Sequence, residues 1–230
     1  LSEVHHQDDE QPSGEVRIKT IPDGDLVLQE VGFRYTPIAD PVLTAINLTI
    51  PRGKVTAIVG TSGSGKTTLI KLLLGFYKPT HGLIKVGNTA LEALDKATWR
   101  ASCGVVMQEG YIFSDTIAEN IAESSDHVDL AKLLSAAETA NIQAFIESMP
   151  LSYNTMIGAR GNGISQGQRQ RMLIARAVYK DPEFLFLDEA TNALDAINEG
   201  VILDHLNQFF QGRTVIIVAH RLSTVRHADQ

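Results

Sequence analysis

The chain has 230 residues, enough for one α/β domain with an added helical lobe and a sizeable core. Its hydrophobic (43%) and charged (20%) fractions are those of an ordinary globular protein, and its net charge of −7 argues against a general nucleic-acid binder. Cys103 is the only cysteine, which excludes an internal disulfide and favours a cytosolic setting. No apolar run approaches the roughly 18 residues needed to cross a bilayer, and the start lacks the basic-then-apolar pattern of a signal peptide.

The sequence begins at Leu1 without Met and stops at Asp229-Gln230 just after a strand-like run, so it reads as a piece of something longer, truncated at its C-terminal side. Residues 1–25 carry Glu3, Asp8, Asp9, Glu10, Glu15, Asp23 and Asp25 against Arg17 and Lys19; the charge and the Pro/Gly punctuation suggest an acidic linker, with a cloning-derived tail as the alternative. From Leu26 the pattern turns β-like: Leu26–Leu28 leads into Val31–Tyr35, and Ala45–Ile50 alternates apolar and polar residues before the Pro51-Arg52-Gly53 turn. Val55–Val59 is a short continuous apolar run, as expected of a strand buried on both faces, and Thr67–Leu74 has helical character. Leu83–Val86 and Gly104–Met107 read as further strands, residues 115–147 as mostly helical, and Phe184–Leu187 and Thr214–Val218 as buried strands flanking a helix over 197–210. Strands alternating with helices predict a largely parallel sheet covered on both faces, with the helical middle inserted between strands.

Gly60-Thr61-Ser62-Gly63-Ser64-Gly65-Lys66-Thr67 fits the phosphate-loop pattern G-x-x-x-x-G-K-[ST]. Its glycines let successive backbone N–H groups turn toward a di- or triphosphate, and the helix that follows adds its positive N-terminal end, where Thr68 also lies. In this pattern Lys66 reaches the β- and γ-phosphates and the Thr67 hydroxyl ligates Mg²⁺. A buried strand before the loop and a helix after it are the context the motif requires. Phe184–Leu187 then ends in Asp188-Glu189, at a strand terminus of the kind that faces the ligand crevice of an open α/β sheet. Asp188 is placed to hold Mg²⁺ through water, and Glu189 to act as a base or water-positioning group; an exposed pair capping the next helix is the structural alternative.

With Ile164-Ser165-Gln166-Gly167-Gln168 upstream of that strand, the chain closely resembles the ATP-binding cassette (ABC) family, whose signature reads Leu-Ser-Gly-Gly-Gln. The resemblance runs from about Leu26 to the end of the chain. It implies a P-loop cassette: a mostly parallel sheet core, an antiparallel β subdomain and an inserted α-helical subdomain over about 112–170. By resemblance, Tyr35 stacks on adenine, Gln108 senses Mg²⁺ and the γ-phosphate, and His220 contacts the γ-phosphate. Taken alone, Tyr35 could equally be a half-buried strand aromatic and His220 a capped core histidine. Asn192-Ala193-Leu194-Asp195 matches the loop usually written Ser-Ala-Leu-Asp, which touches the opposite subunit. Residues Ser165, Gln166, Gly167 and Gln168 are implied to close over the ATP of a second copy in a head-to-tail homodimer, Ser165 through its hydroxyl and Gly167 through its N–H. Gln166 departs from the signature's first glycine, and Asn192 from the usual Ser.

Within the family, Tyr111–Ile121 resembles the segment of exporters that faces the membrane domain, and Thr155–Gly161 resembles a loop ending Gly-Glu-Arg-Gly, with Ala159 in place of Glu. The resemblance therefore implies the ATPase of an exporter, fused to a transmembrane domain upstream of Leu1, at the cytoplasmic face of a membrane and without a nucleic-acid partner. The acidic linker and the overall pattern look most like those of peptide or bacteriocin exporters. The alternatives are a stand-alone importer subunit and a soluble, non-transport ABC ATPase.

Overall fold

The computed structural model describes residues 17–124, 127–158, 163–194, 196–219, 226 and 228–230. In chain order these form β1 (Leu26–Phe33), β2 (Leu43–Ile50), β3 (Val55–Ile58), α1 (Lys66–Leu73), β4 (His81–Val86), β5 (Thr89–Ala90), α2 (Lys96–Ala101) and β6 (Cys103–Val106). The helices α3 (Ile117–Ala122), α4 (Leu130–Thr139), α5 (Gln143–Glu147) and α6 (Gln166–Tyr179) follow, then β7 (Phe184–Asp188), α7 (Ala196–Phe209) and β8 (Thr214–Val218). Among the described residues no helix is long and apolar enough to cross a membrane.

Two sheets form, and their sequences explain the division. β3, β6, β7 and β8 are short and nearly all apolar, and they pair in parallel in the order β3-β8-β7-β6. Every residue of β7 and β8 is buried. Their alternate side chains feed two cores: Leu185, Leu187, Val215 and Ile217 pack with α4, α6 and α7, whereas Phe184, Phe186, Ile216 and Val218 pack with α1 and the second sheet. A continuous apolar run is what a strand covered on both faces needs. β2 alternates half-buried and exposed positions over Ile46–Thr49 and joins an antiparallel sheet in the order β2-β1-β4-β5. The expected parallel core, antiparallel unit and inserted helices are all present, the helices α3 to α6 lying between β6 and β7.

The parallel registers are what position a site. Ile58 lies opposite Val218, Val218 opposite Asp188, and Leu187 opposite Val106. The C-terminal ends of all four strands therefore share one edge, and the segments that follow them start side by side.

The short helix α2 has no counterpart among the sequence expectations. Asp95 caps it, accepting from the Thr98 N–H at 2.8 Å. It delivers Trp99 into the core, where the ring is 2% exposed, lies 4.8 Å from Phe184, and donates from Nε1 to the Leu73 carbonyl at 2.9 Å. Beside it, burial pushes the Cys103 thiol up to about 12, which makes it a small hydrophobe rather than a nucleophile. Trp99→Ala should cost about 3–5 kcal/mol, the usual loss for truncating a buried large aromatic. Trp99→Phe should cost less, since it keeps most of the packing and gives up the bond to Leu73. Denaturant midpoints of the two variants check both.

Candidate active site

The turn after β3 carries the phosphate loop. Gly63 and Gly65 adopt φ of +77° and +89°, and a Cβ on Gly65 would lie 2.8 Å from Leu43 Cδ2, so that position both requires left-handed backbone and has no room for a side chain. Gly65 opens α1, whose first residue is Lys66. The Lys66 ammonium is folded into the loop, donating to the carbonyls of Gly60 (2.9 Å) and Thr61 (2.8 Å), with the Ser64 hydroxyl 3.4 Å away. Thr61 and Ser64 line, with Gly60, Gly65 and Lys66, a broad cleft bounded by β2; Ser62 stands in the same turn.

Asp188 ends β7 and is fully buried, yet neither carboxylate oxygen has a hydrogen-bond partner. Burial pushes its pKa up. The Thr67 hydroxyl, close enough to ease the charge though not in full hydrogen-bond geometry, pulls the other way, as do the Lys66 and Lys71 charges, while Glu189 adds to the rise. A buried carboxylate left without partners is costly unless a cation or donor reaches it. The pair of Asp188 and the Thr67 hydroxyl is a hard-oxygen donor set of the kind Mg²⁺ prefers, so the residues present fit that ion.

Glu189 follows in left-handed conformation (φ +54°), uncommon for a residue other than glycine. Its N–H donates to the Val218 carbonyl at 3.0 Å. Its carboxylate accepts from the Asn192 side-chain amide. Asn192, expected at a subunit contact, is exposed and its amide is bonded within this chain. Glu189 lines a cleft of about 750 Å³ together with Gln108, Gln166, Gln170 and Asn192. Gln108, just beyond β6, is exposed at its mouth.

Tyr35 is half-exposed. Its ring meets Phe33 and Tyr77 edge-on at 5.0 and 5.4 Å, and its hydroxyl pairs with Thr68 Oγ1 at 2.9 Å. An aromatic surface therefore stands against the first turn of α1. The buried Thr68 side chain serves that contact, which leaves its backbone N–H as the group that can face a phosphate.

The Ser165–Gln168 stretch opens α6 with a reciprocal capping box: Ser165 Oγ accepts from the Gln168 N–H at 3.2 Å, and Gln168 Oε1 accepts from the Ser165 N–H at 2.8 Å. Ser165 and Gln166 are exposed, and Gly167 packs so that a Cβ would lie 3.4 Å from the Ala193 carbonyl. None of the four residues lines the cleft of this chain's own phosphate loop. The structure thus brings Lys66, Thr67 and Asp188 together, sets Glu189 and Gln108 beside them at the same sheet edge, and leaves Ser165 facing outward. His220, Asp195, Ala159 and most of the 1–25 segment lie outside the described residues.

Two segments that resemble those of exporters, 111–121 and 155–158, meet each other. Thr155 accepts from the Ile117 N–H at 3.0 Å, and the Ile157 N–H donates to Asp115 at 2.9 Å. The first of them is held by a residue that sequence reading passed over. Arg176 of α6 donates to the carbonyls of Asn120 (2.7 Å) and Tyr111 (2.9 Å) and stacks 5.1 Å from the Phe113 ring, which holds exposed Tyr111 and Phe113 in place. Gln170 was also missed. A signal existed, because it occupies the buried stripe of α6 with Leu173, Ile174 and Ala177, where a polar residue needs a partner.

The family described as ABC transporter matches residues 43–192, well over half of the sequence. The chain belongs to the ABC transporter family. The leukotoxin translocation ATP-binding protein LktB of Mannheimia glucosida is 42% identical over all 230 residues, which make up 32% of that protein. ABC transporter B family member 28 of Arabidopsis thaliana is 45% identical over 210 residues, 90% of this chain and 29% of that one. A solved bacterial Atm1-family ABC exporter with ATP bound superposes with a TM-score of 0.88 at 35% identity, over 95% of this chain and 38% of the exporter. The chain therefore spans about a third of the length of the curated relatives it matches, and the cassette fold and family expected from its motifs are both borne out.

Asp188 offers a pH signature. Because burial raises its folded-state pKa, the folded protein binds the proton more tightly than the unfolded chain. Its contribution is harmless below the ordinary aspartate value of about 3.9 and becomes destabilising as pH rises toward the folded value. Without nucleotide or Mg²⁺, Asp188→Asn should therefore gain thermal stability relative to the unaltered protein as pH rises above about 4. It should also lose the Mg²⁺-dependent part of protection by ATP. Melting curves across pH, with and without Mg-ATP, measure both.

Proposed function

We propose that the cassette binds and hydrolyses Mg-ATP and that the work drives export across a membrane by a transmembrane domain to which it is joined. The ATPase reading is carried by one observation: a buried, unpartnered Asp188 beside Thr67 at the sheet edge where the phosphate loop begins and Glu189 follows. ATP lies with adenine against Tyr35 and phosphates along Gly60–Thr68. Lys66 exchanges its loop carbonyls for the β- and γ-phosphate oxygens, a trade of neutral for charge-assisted bonds. Thr67, Gln108 and, through water, Asp188 would hold Mg²⁺, which supplies charge neutralisation on the phosphate oxygens. Glu189 orients the attacking water and takes up its proton, while Lys66 and His220 stabilise charge on the γ-phosphate.

The outward-facing start of α6 supports a composite site. The exposed Ser165 hydroxyl and the positive end of α6 have no phosphate to meet in their own chain, and a second copy arranged head to tail supplies one. Gln166 stands where the signature has glycine, but the groups needed are Ser165 Oγ and the Gly167 N–H. ATP then holds the two cassettes together, and hydrolysis releases them.

The exporter reading rests on the likeness to named translocators and exporters and on the paired 111–121 and 155–158 segments. It places the cassette at the cytoplasmic face of the membrane, and the likeness to leukotoxin translocation proteins over the whole chain favours a polypeptide cargo.

Glu189→Gln should lower ATPase turnover roughly 10²- to 10⁴-fold, the usual contribution of a general base, with ATP affinity kept. Near-normal turnover would sink the assignment. The same protein should dimerise only with ATP, as followed by light scattering, and Ser165→Arg should abolish that dimer. The monomeric cassette should be a poor ATPase, with specific activity rising with protein concentration.

A further inference from the structure

We propose that Gln170 is a positioning residue for Glu189, and that it fastens the catalytic turn of one composite site to the helix that closes over the other. Gln170 is 9% exposed and spans α6 and the segment after β7 with both ends of its amide. Nε2 donates to the Glu189 carbonyl at 2.9 Å, and Oε1 accepts from the Ala193 N–H at 2.8 Å. One acceptor and one donor on the facing backbone admit a single orientation of the amide. Glutamate would keep only the bond to Ala193, asparagine is a methylene short, and methionine would keep the shape and lose both bonds.

The turn it grips needs holding. Glu189 sits at φ +54°, a conformation that persists only where its surroundings over-determine it. Among the described residues, three bonds hold its backbone: its N–H to Val218, and its carbonyl accepting from the Asn192 N–H at 3.2 Å and from the Gln170 side chain. Val218 and Asn192 belong to the sheet edge and to the turn itself. Gln170 alone of the three comes from α6, and α6 opens five residues earlier at Ser165. At Gly167 the helix packs against the same turn, a Cβ there lying in van der Waals contact, 3.4 Å from the Ala193 carbonyl. Engagement of Ser165 with a partner's γ-phosphate is therefore transmitted through one turn of helix and one side chain to the carboxylate that serves this chain's own ATP. The inference rests on the composite-site reading above.

The test compares the unaltered full chain with Glu189→Gln, Gln170→Met and Gln170→Glu. Displacing a reacting group by about 1 Å can cost on the order of 100-fold in rate, so both Gln170 variants should lose roughly 10- to 100-fold in kcat. Their KM for ATP should stay within about twofold. Because slow hydrolysis leaves ATP in place, both should also prolong the ATP-dependent dimer, as Glu189→Gln does. A residue that merely supports the fold would weaken that dimer instead, and this separates the two roles. Unaltered kcat in both variants, or a fall accompanied by loss of the dimer in both, overturns the proposal. If Glu189→Gln itself neither slows turnover nor traps the dimer, the ATPase reading fails first, whatever the Gln170 variants do.

Discussion

A parallel sheet has no hairpins to bring its strands into line, so its register is set by what the two faces bury. In this cassette β3, β8, β7 and β6 agree in register at one end, with Ile58, Val218 and Asp188 level across three strands. The agreement follows from the strict alternation of β7 and β8 between two cores. A slip of one residue would exchange Phe184 and Phe186 with Leu185 and Leu187 and disrupt both. Everything chemical in the molecule depends on this constraint. The phosphate loop, Gln108 and the Asp188-Glu189 pair come from segments far apart in sequence, and only the shared strand ends make them neighbours.

The strands and loops that carry this edge were legible because their sequence signals are local. Val55–Val59, Phe184–Leu187 and Thr214–Val218 are continuous apolar runs, and the phosphate loop has glycine where the backbone must turn left-handed. Each signal survives in a single sequence because burial on two faces or a positive φ restricts the residue type directly. The antiparallel unit was legible more coarsely. Leu26–Leu28 leading into Val31–Tyr35 reads as β, and Leu26–Phe33 is one strand with register shifts that keep it paired on both sides.

What escaped the sequence shares a different physics. α2 is six residues long, too short to show a period, and exists because Trp99 finds a carbonyl and an aromatic partner in the core. Arg176, Asn120 and Gln170 act by pairing their side chains with backbone groups. Asn120 is wholly buried, accepting from the Phe113 N–H at 2.8 Å and donating to the Phe113 and Thr116 carbonyls. A backbone partner leaves no trace in the identity of the residue that supplies it, so such bonds have no motif. They betray themselves only as polar residues on a buried stripe.

These motif-less bonds converge on α6. Its N-terminus presents Ser165, its first turns hold Glu189 and Ala193 through Gln170, and its last turns hold the Tyr111–Asn120 loop through Arg176. A helix of 14 residues is about 20 Å long and stiff on that scale. Three groups bonded to one stiff rod cannot move independently, and α6 is itself packed between α3 and α4 on one side and the sheet on the other. A shift of the exposed aromatics at one end must therefore either rotate the whole helix or break the Arg176 bonds. Rotation displaces Ser165 and strains the grip on Glu189 together. The geometry thus ties the Tyr111–Asn120 segment, the exposed Ser165 cap and the Glu189 turn to one element rather than to three.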